Sequence, residues 1–259
     1  MDLFYRKFGK EGDQPIVVLH GLFGISDNWV TFGKQMASEG FEVFIPDQRN
    51  HGRSEHSDDF NYLALTNDLY DFIDFEDLES PILIGHSMGG KVAMRFAVDY
   101  PDLVQKLIVV DIAPKIYGAR IHHLNIIESM LKIDLEKIKS RAEVEAKLEK
   151  RITDRRIRLF ILKNLHRTGK EHFEWRLNLE VISNNLDKMF DGIPKESKYS
   201  NPTLFIKGGN SDYILPEDHE QIMAHFPKAE IITINDASHW VHADSPEKFF
   251  ELSRSFLIR

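Results

Sequence analysis

The stretch Gly85-His86-Ser87-Met88-Gly89 puts a serine where an apolar run, Ile82–Ile84, gives way to the amphipathic stretch Lys91–Tyr100. A bare G-x-S-x-G match arises readily by chance, so position carries more weight than pattern. Between a strand and a helix the motif demands a sharp turn, with the serine held in a strained backbone conformation. Gly85 and Gly89 lack the Cβ atoms that would clash where strand and helix approach. The hydroxyl then stands at a helix N-terminus, where the dipole favours developing negative charge. The chemistry indicated is nucleophilic attack on a carbonyl. Its plain alternative is a strand-to-helix turn with no chemistry.

A serine hydroxyl needs a base to take its proton. Of twelve histidines, His239 is best placed. It follows the apolar run Ile231–Ile234 in the loop Asp236-Ala237-Ser238-His239 and precedes a helix expected from Pro246. His242 reads as a polar loop or cap neighbour. His122 and His123 are adjacent on an expected helix, face different directions and make a poor metal pair, so no metal site is expected. The oxyanion of a tetrahedral intermediate needs backbone donors: Met88, directly after the nucleophile, and Leu22 in the glycine-flanked loop His20–Gly24. Two aspartates sit at strand ends and suit the acid that orients the imidazole, Asp111 and Asp212. Phe23, Trp29, Trp175 and Trp240 are candidates to line an acyl pocket; core packing accounts for each equally well.

These residues need a scaffold. Ile16–Leu19, Val43–Ile45, Ile82–Ile84, Leu107–Val110, Leu204–Ile206 and Ile231–Ile234 read as strands buried on both faces. Helices are expected near 27–38, 61–78, 88–100, 216–226 and 246–258. Strict alternation implies a mainly parallel sheet covered on both sides, with ligands gathering at the carboxyl ends of its strands. From Pro114 to Ser197 the alternation stops and the pattern reads as about four helices, giving a core of 1–113 and 198–259 and a helical cap of 114–197. That cap holds 18 Lys and Arg against 13 Asp and Glu, in a chain with a net charge of −8. It reads as a solvated helical surface or as a basic rim for an anionic substrate. For the latter, Lys150, Arg151, Arg155, Arg156 and Arg158 would suit the phosphates of a CoA-linked acyl group.

The acidic balance argues against a nucleic-acid partner. With no cysteine there is no disulfide, thiolate metal site or cysteine nucleophile. No apolar run approaches the ~18 residues of a membrane span. The start, Met1-Asp2-Leu3-Phe4-Tyr5, lacks the pattern of a secretory signal, so the expected location is cytoplasmic.

Taken together, His20-Gly21, the segment Asp47–Ser54, the serine turn and the late His239 resemble the α/β-hydrolase superfamily. More narrowly, Asp47–Ser54 (DQRNHGRS), Val110–Pro114 (VDIAP) and Phe173–Asn178 (FEWRLN) resemble a bacterial esterase family related to the mitochondrial abhydrolase-domain protein 11. The resemblance implies an α/β-hydrolase fold with a mostly parallel eight-stranded sheet, a helical cap after the sixth strand, and no metal or organic cofactor. It implies action on carboxylic esters or acyl-CoA thioesters. Most of the superfamily takes its acid from the later loop, where Gly209–Pro216 fits the usual pattern at Asp212. The narrower family takes it from the earlier strand, which favours Asp111. Asp47–Ser54 itself reads as a hydrogen-bonded loop, with Gly52 in a turn, that buttresses the oxyanion loop and the serine turn.

The resulting expectation is a serine hydrolase with Ser87 as nucleophile, His239 as base, Asp111 (alternatively Asp212) as acid and Leu22 and Met88 as oxyanion donors. Phe23, Trp175 and Trp240 are expected at the substrate, a small-molecule ester or thioester. The rival readings are a C–C bond hydrolase or perhydrolase on the same triad, and a ligand-binding receptor with vestigial turnover.

Overall fold

All six apolar runs become strands of one sheet. The computed structural model describes residues 1–118, 121–169, 172–194 and 196–259. The strands in chain order are β1 (Tyr5–Phe8), β2 (Gln14–Leu19), β3 (Phe41–Pro46), β4 (Ile82–His86), β5 (Leu107–Val110), β6 (Leu165–Thr168), β7 (His172–Trp175), β8 (Thr203–Gly208) and β9 (Ala229–Ile234). The helices are α1 (Val30–Ser38), α2 (Tyr62–Phe75), α3 (Met88–Asp99), α4 (Ile121–Leu131), α5 (Arg141–Glu149), α6 (Arg155–Leu162), α7 (Leu179–Asn184), α8 (His219–His225), α9 (Val241–Asp244) and α10 (Pro246–Leu257).

The main sheet has the order β1-β3-β2-β4-β5-β8-β9, parallel except for β1, which pairs antiparallel with β3. Residues alternate between two buried faces, as a sheet covered on both sides requires. Val17, Leu19, Leu83, Val109 and Phe205 belong to the core that includes residues of α2, α3 and the segment between β5 and β8. Ile16, Val18, Ile84, Ile108 and Ile206 belong to the core that includes residues of α1 and α10. At about 25 cal/mol per Å2 of apolar surface removed from water, this double burial supplies most of the drive to fold.

Three expectations need correction. The sheet has seven strands among the described residues, not eight, and the long insertion therefore follows the fifth strand, not the sixth. Ahead of β2 the chain forms only β1. Its first residues are tied to a loop instead of a strand: Phe4 N–H donates to Ser54 Oγ at 2.9 Å and the Phe4 carbonyl accepts from Asp47 N–H at 2.8 Å. The insertion contains four helices as expected, and also the antiparallel hairpin β6–β7. Its signal is a short alternation of exposed and half-buried positions from His172 to Trp175, easily lost among helical patterns. Among the described residues no helix is long and apolar enough to cross a membrane.

Candidate active site

β4 and β5 are neighbours in register, with His86 opposite Val110. Each strand ends in a non-glycine residue of positive φ, Ser87 at 52° and Asp111 at 52°. Such backbone costs roughly 1–3 kcal/mol per residue and persists only where the surroundings enforce it. Here they do. Ser87 N–H donates to Val110 O at 3.0 Å, and Asp111 N–H to Ile206 O at 2.9 Å. A Cβ on Gly85 would lie 2.2 Å from Gly89 O, and one on Gly89 would lie 2.4 Å from Leu19 O. The turn from β4 into α3 therefore closes only with glycine at both positions.

Asp111 is fully buried. Its Oδ1 accepts from Gly208 N–H at 2.9 Å. Its Oδ2 accepts from His239 Nδ1–H at 2.8 Å and from the Ser211 hydroxyl. His239 and Ser87, both half-buried, line one cavity of about 280 Å3. With Nδ1 committed to the carboxylate as donor, Nε2 of His239 is left as the acceptor, the tautomer a general base needs. Asp212, the alternative acid, is exposed and lines the same cavity.

Three residues that the sequence did not single out hold the pair His239 and Asp111. The Tyr213 ring stacks on the imidazole at 3.7 Å and 13°. His86 Nε2–H donates to the His239 carbonyl at 2.9 Å, and burial pushes the His86 imidazole well below its ordinary pKa, so it serves as a neutral donor. Ser211, whose hydroxyl donates to Asp111, directly precedes the more conspicuous Asp212 in the chain. His242 stacks flat on Trp29 at 4.1 Å, with burial lowering its pKa to about 3, so both residues belong to the packing beneath the loop.

The two expected oxyanion donors flank Ser87. Met88 is the first residue of α3, so its N–H has no intrahelical acceptor. Leu22 lines the cavity with Ser87, in a turn closed by Gly24 N–H to Gly21 O at 2.9 Å. The next amide, that of Phe23 (φ 63°), donates to His51 Nε2 at 3.2 Å. His51 Nδ1–H in turn donates to Arg49 O at 2.9 Å. His20 repeats the logic: Nδ1–H donates to Gly21 O at 2.9 Å, and Nε2 accepts from Gln48 N–H at 3.0 Å. Both imidazoles are buried and kept neutral, with pKa values lowered to about 4 for His20 and about 3 for His51.

The segment Asp47–Ser54 thus braces the loop His20–Gly24. Asp47 accepts from Ser26 N–H at 2.6 Å and Arg53 N–H at 2.9 Å. Arg49 makes a buried two-pronged pair with Asp68 at 2.5 and 2.7 Å. The Phe173–Asn178 motif meets this segment directly: Asn178 N–H donates to Asn50 O at 3.0 Å, and His51 bridges Leu177. From the end of α6, Asn164 Nδ2–H reaches Phe23 O at 2.8 Å, so the insertion also grips that loop.

Phe23 and Trp240 line the cavity, with Ile126, Ile157 and Phe160. Trp175 does not line it. Trp175 lies on β7, where its pairing in register with Leu165 turns it to pack against the core. Of the five cations proposed for a phosphate rim, Arg156 alone lines this cavity, and its guanidinium is itself paired with Asp154 at 3.1 Å and Asp244 at 3.7 Å. Arg158 is buried on Glu149 and the carbonyls of Ile152 and Thr153. Arg151 pairs with Glu128, Arg155 with Glu145, and Lys150 is exposed. Among the described residues no group of three or more His, Asp or Glu side chains is placed to hold a metal.

Residues 14–137 match the family model described as the alpha/beta hydrolase fold. The sn-1-specific diacylglycerol lipase ABHD11 of Mus musculus is 40% identical over 99% of this chain and 85% of its own length. That of Danio rerio is 39% identical over 99% and 83%. The chain belongs to the α/β-hydrolase family. A marine microorganism esterase of solved structure superposes on it with a TM-score of 0.95, at 41% identity over 98% of this chain and 99% of that one. These three relatives are lipases and an esterase, and ester hydrolysis is the chemistry the likeness supports. Within the α/β-hydrolase sheet, Ser87, Asp111 and His239 stand after β4, β5 and β9, all at carboxyl ends.

Proposed function

We propose that this chain is a serine hydrolase that cleaves carboxylic esters, and acyl thioesters by the same steps, through an acyl-enzyme on Ser87. The observation that carries the reading is the His239 Nδ1–H bond to buried Asp111, with His239 and Ser87 on one cavity.

His239 takes the Ser87 proton as Oγ bonds to the carbonyl carbon. The oxyanion that forms is held by the Leu22 and Met88 amides. When the tetrahedral intermediate collapses, the bond from carbon to the leaving oxygen or sulfur breaks and His239 returns the proton to the leaving group. Water, deprotonated by His239, then releases the acid and restores Ser87. Asp111 fixes the ring and stabilises the imidazolium. The segment 114–197 acts as a cap subdomain over this site, and Arg156 is the cation best placed to meet an anionic carrier such as a nucleotide-linked thiol.

Hydrolysis of p-nitrophenyl esters by the wild-type chain and by Ser87→Ala tests the reading. Turnover in the first, with a loss of roughly 10³-fold or more in kcat in the second, is expected. Equal rates would overturn it.

A further inference from the structure

Ser87 opens on two cavities of unequal size. The larger, about 280 Å3, is the one that His239 lines, with Phe23, Ile157, Phe160, Trp240 and Arg156. The smaller, about 30 Å3, lies between Ser87 and the residues Tyr62, Met88, Ile112, Met189 and Phe190. Leu22, His123 and Tyr213 are common to both, so the two meet at the serine; His239 lines the larger one alone.

That asymmetry decides which part of a substrate goes where. In acyl transfer the base that deprotonates the serine must hand the same proton to the leaving group, and so must stand on the leaving group's side. The acyl chain departs from the carbonyl carbon in the other direction. We infer that the leaving group occupies the large cavity beneath His239, and that the acyl chain enters the small cavity lined by Tyr62, Met189 and Phe190, whose size restricts this hydrolase to acyl groups of two or three carbons carried by bulky leaving groups. This rests on the hydrolase reading above.

The volumes fit the assignment. A cavity of about 150 Å3 takes a benzene ring, whereas one of about 30 Å3 has room for roughly one to three heavy atoms. Its walls are held from below. The Tyr62 hydroxyl donates to Met189 O at 2.8 Å, tying α2 to the far end of the insertion. Ile112 and Met88 are buried, with under a tenth of their surface exposed. A longer chain must displace packed side chains, since interiors at this density yield little.

The test holds the leaving group constant across p-nitrophenyl acetate, butyrate and octanoate. It then holds the acyl group constant across phenyl and 2-naphthyl acetates, whose leaving groups are of similar acidity. From acetate to octanoate kcat/KM is expected to fall by roughly 100-fold or more, while 2-naphthyl acetate does at least as well as phenyl acetate. Met189→Ala opens the small cavity while leaving the backbone carbonyl that Tyr62 holds. It is expected to raise the octanoate-to-acetate ratio by about tenfold or more. Phe190→Leu, a milder change, should move the ratio in the same direction if the alanine variant folds poorly. Octanoate turned over as fast as acetate by the wild-type chain would overturn the acyl assignment and leave the hydrolase reading standing. No turnover of any ester would overturn both.

Discussion

His239 and Asp111, separated by 128 residues in the chain, are joined by one hydrogen bond of 2.8 Å from Nδ1 to Oδ2. It brings the loop after β9, across the intervening strand β8, to the end of β5. Asp111→Asn replaces the accepting oxygen with a group that can donate, and so favours the wrong imidazole tautomer. Turnover of p-nitrophenyl acetate is expected to fall by roughly 10³–10⁴-fold. Asp212→Asn, at an exposed position, is expected to cost less than about tenfold. The reverse ranking would move the acid to Asp212.

The Ser211 hydroxyl shares Asp111 Oδ2 with the imidazole. Ser211→Ala removes that second donor and with it one of the contacts that fix the carboxylate, while the imidazole contact is kept. Turnover of p-nitrophenyl acetate is expected to fall by less than about tenfold. A loss as large as that of Asp111→Asn would show that the hydroxyl itself is needed to hold the carboxylate in place.

His51 aims the oxyanion loop through the Phe23 amide. Losing it frees the turn that presents the Leu22 amide, a donor needed only once negative charge develops. His51→Ala is therefore expected to lower kcat by roughly 10²-fold with little change in KM. A rise in KM at constant kcat would assign the loop to ground-state binding instead.

Gly52 has a φ of 61°, and a Cβ there would lie 2.1 Å from Asp47 Oδ2. Gly52→Ala combines backbone strain with a clash against a carboxylate already bonded to two amides. A cost of about 2–4 kcal/mol is expected, read as a Tm lower by roughly 5–10 °C. An unchanged Tm would mean that Asp47 is free to move aside.

Burial of His20, His51 and His242 lowers their pKa values from 6.5 to about 4, about 3 and about 3. Below about pH 6.5 the unfolded chain binds protons on these residues that the folded chain refuses. Stability should therefore be level with respect to them above about pH 6.5 and fall as pH drops toward 4. The limiting slope is about 1.4 kcal/mol per pH unit for each. Urea midpoints at about pH 7 and pH 5 measure this, and equal midpoints would contradict it.

The sheet was legible because strands buried on both faces are written as short, blunt apolar runs. The serine turn was legible because its glycines leave a fixed local spacing. Residues that act through one long-range contact were not. Trp175 looked like a pocket aromatic because aromatic type does not reveal direction, and the pairing of β7 with β6 turned it to the core. Arg158 looked like a rim cation, yet its guanidinium closes the carbonyl ends of the preceding turn. Tyr213 and His86 had no signal of their own, since their contacts with His239 depend on loops from distant strands converging.

The central claim is that Ser87 is the residue acylated. Labelling with a fluorophosphonate probe, followed by peptide mass spectrometry, tests it most directly. One adduct per chain on the peptide carrying Ser87, abolished in Ser87→Ala and strongly slowed in Asp111→Asn, is the expected result; an adduct on another residue, or equal labelling of Ser87→Ala, would contradict it.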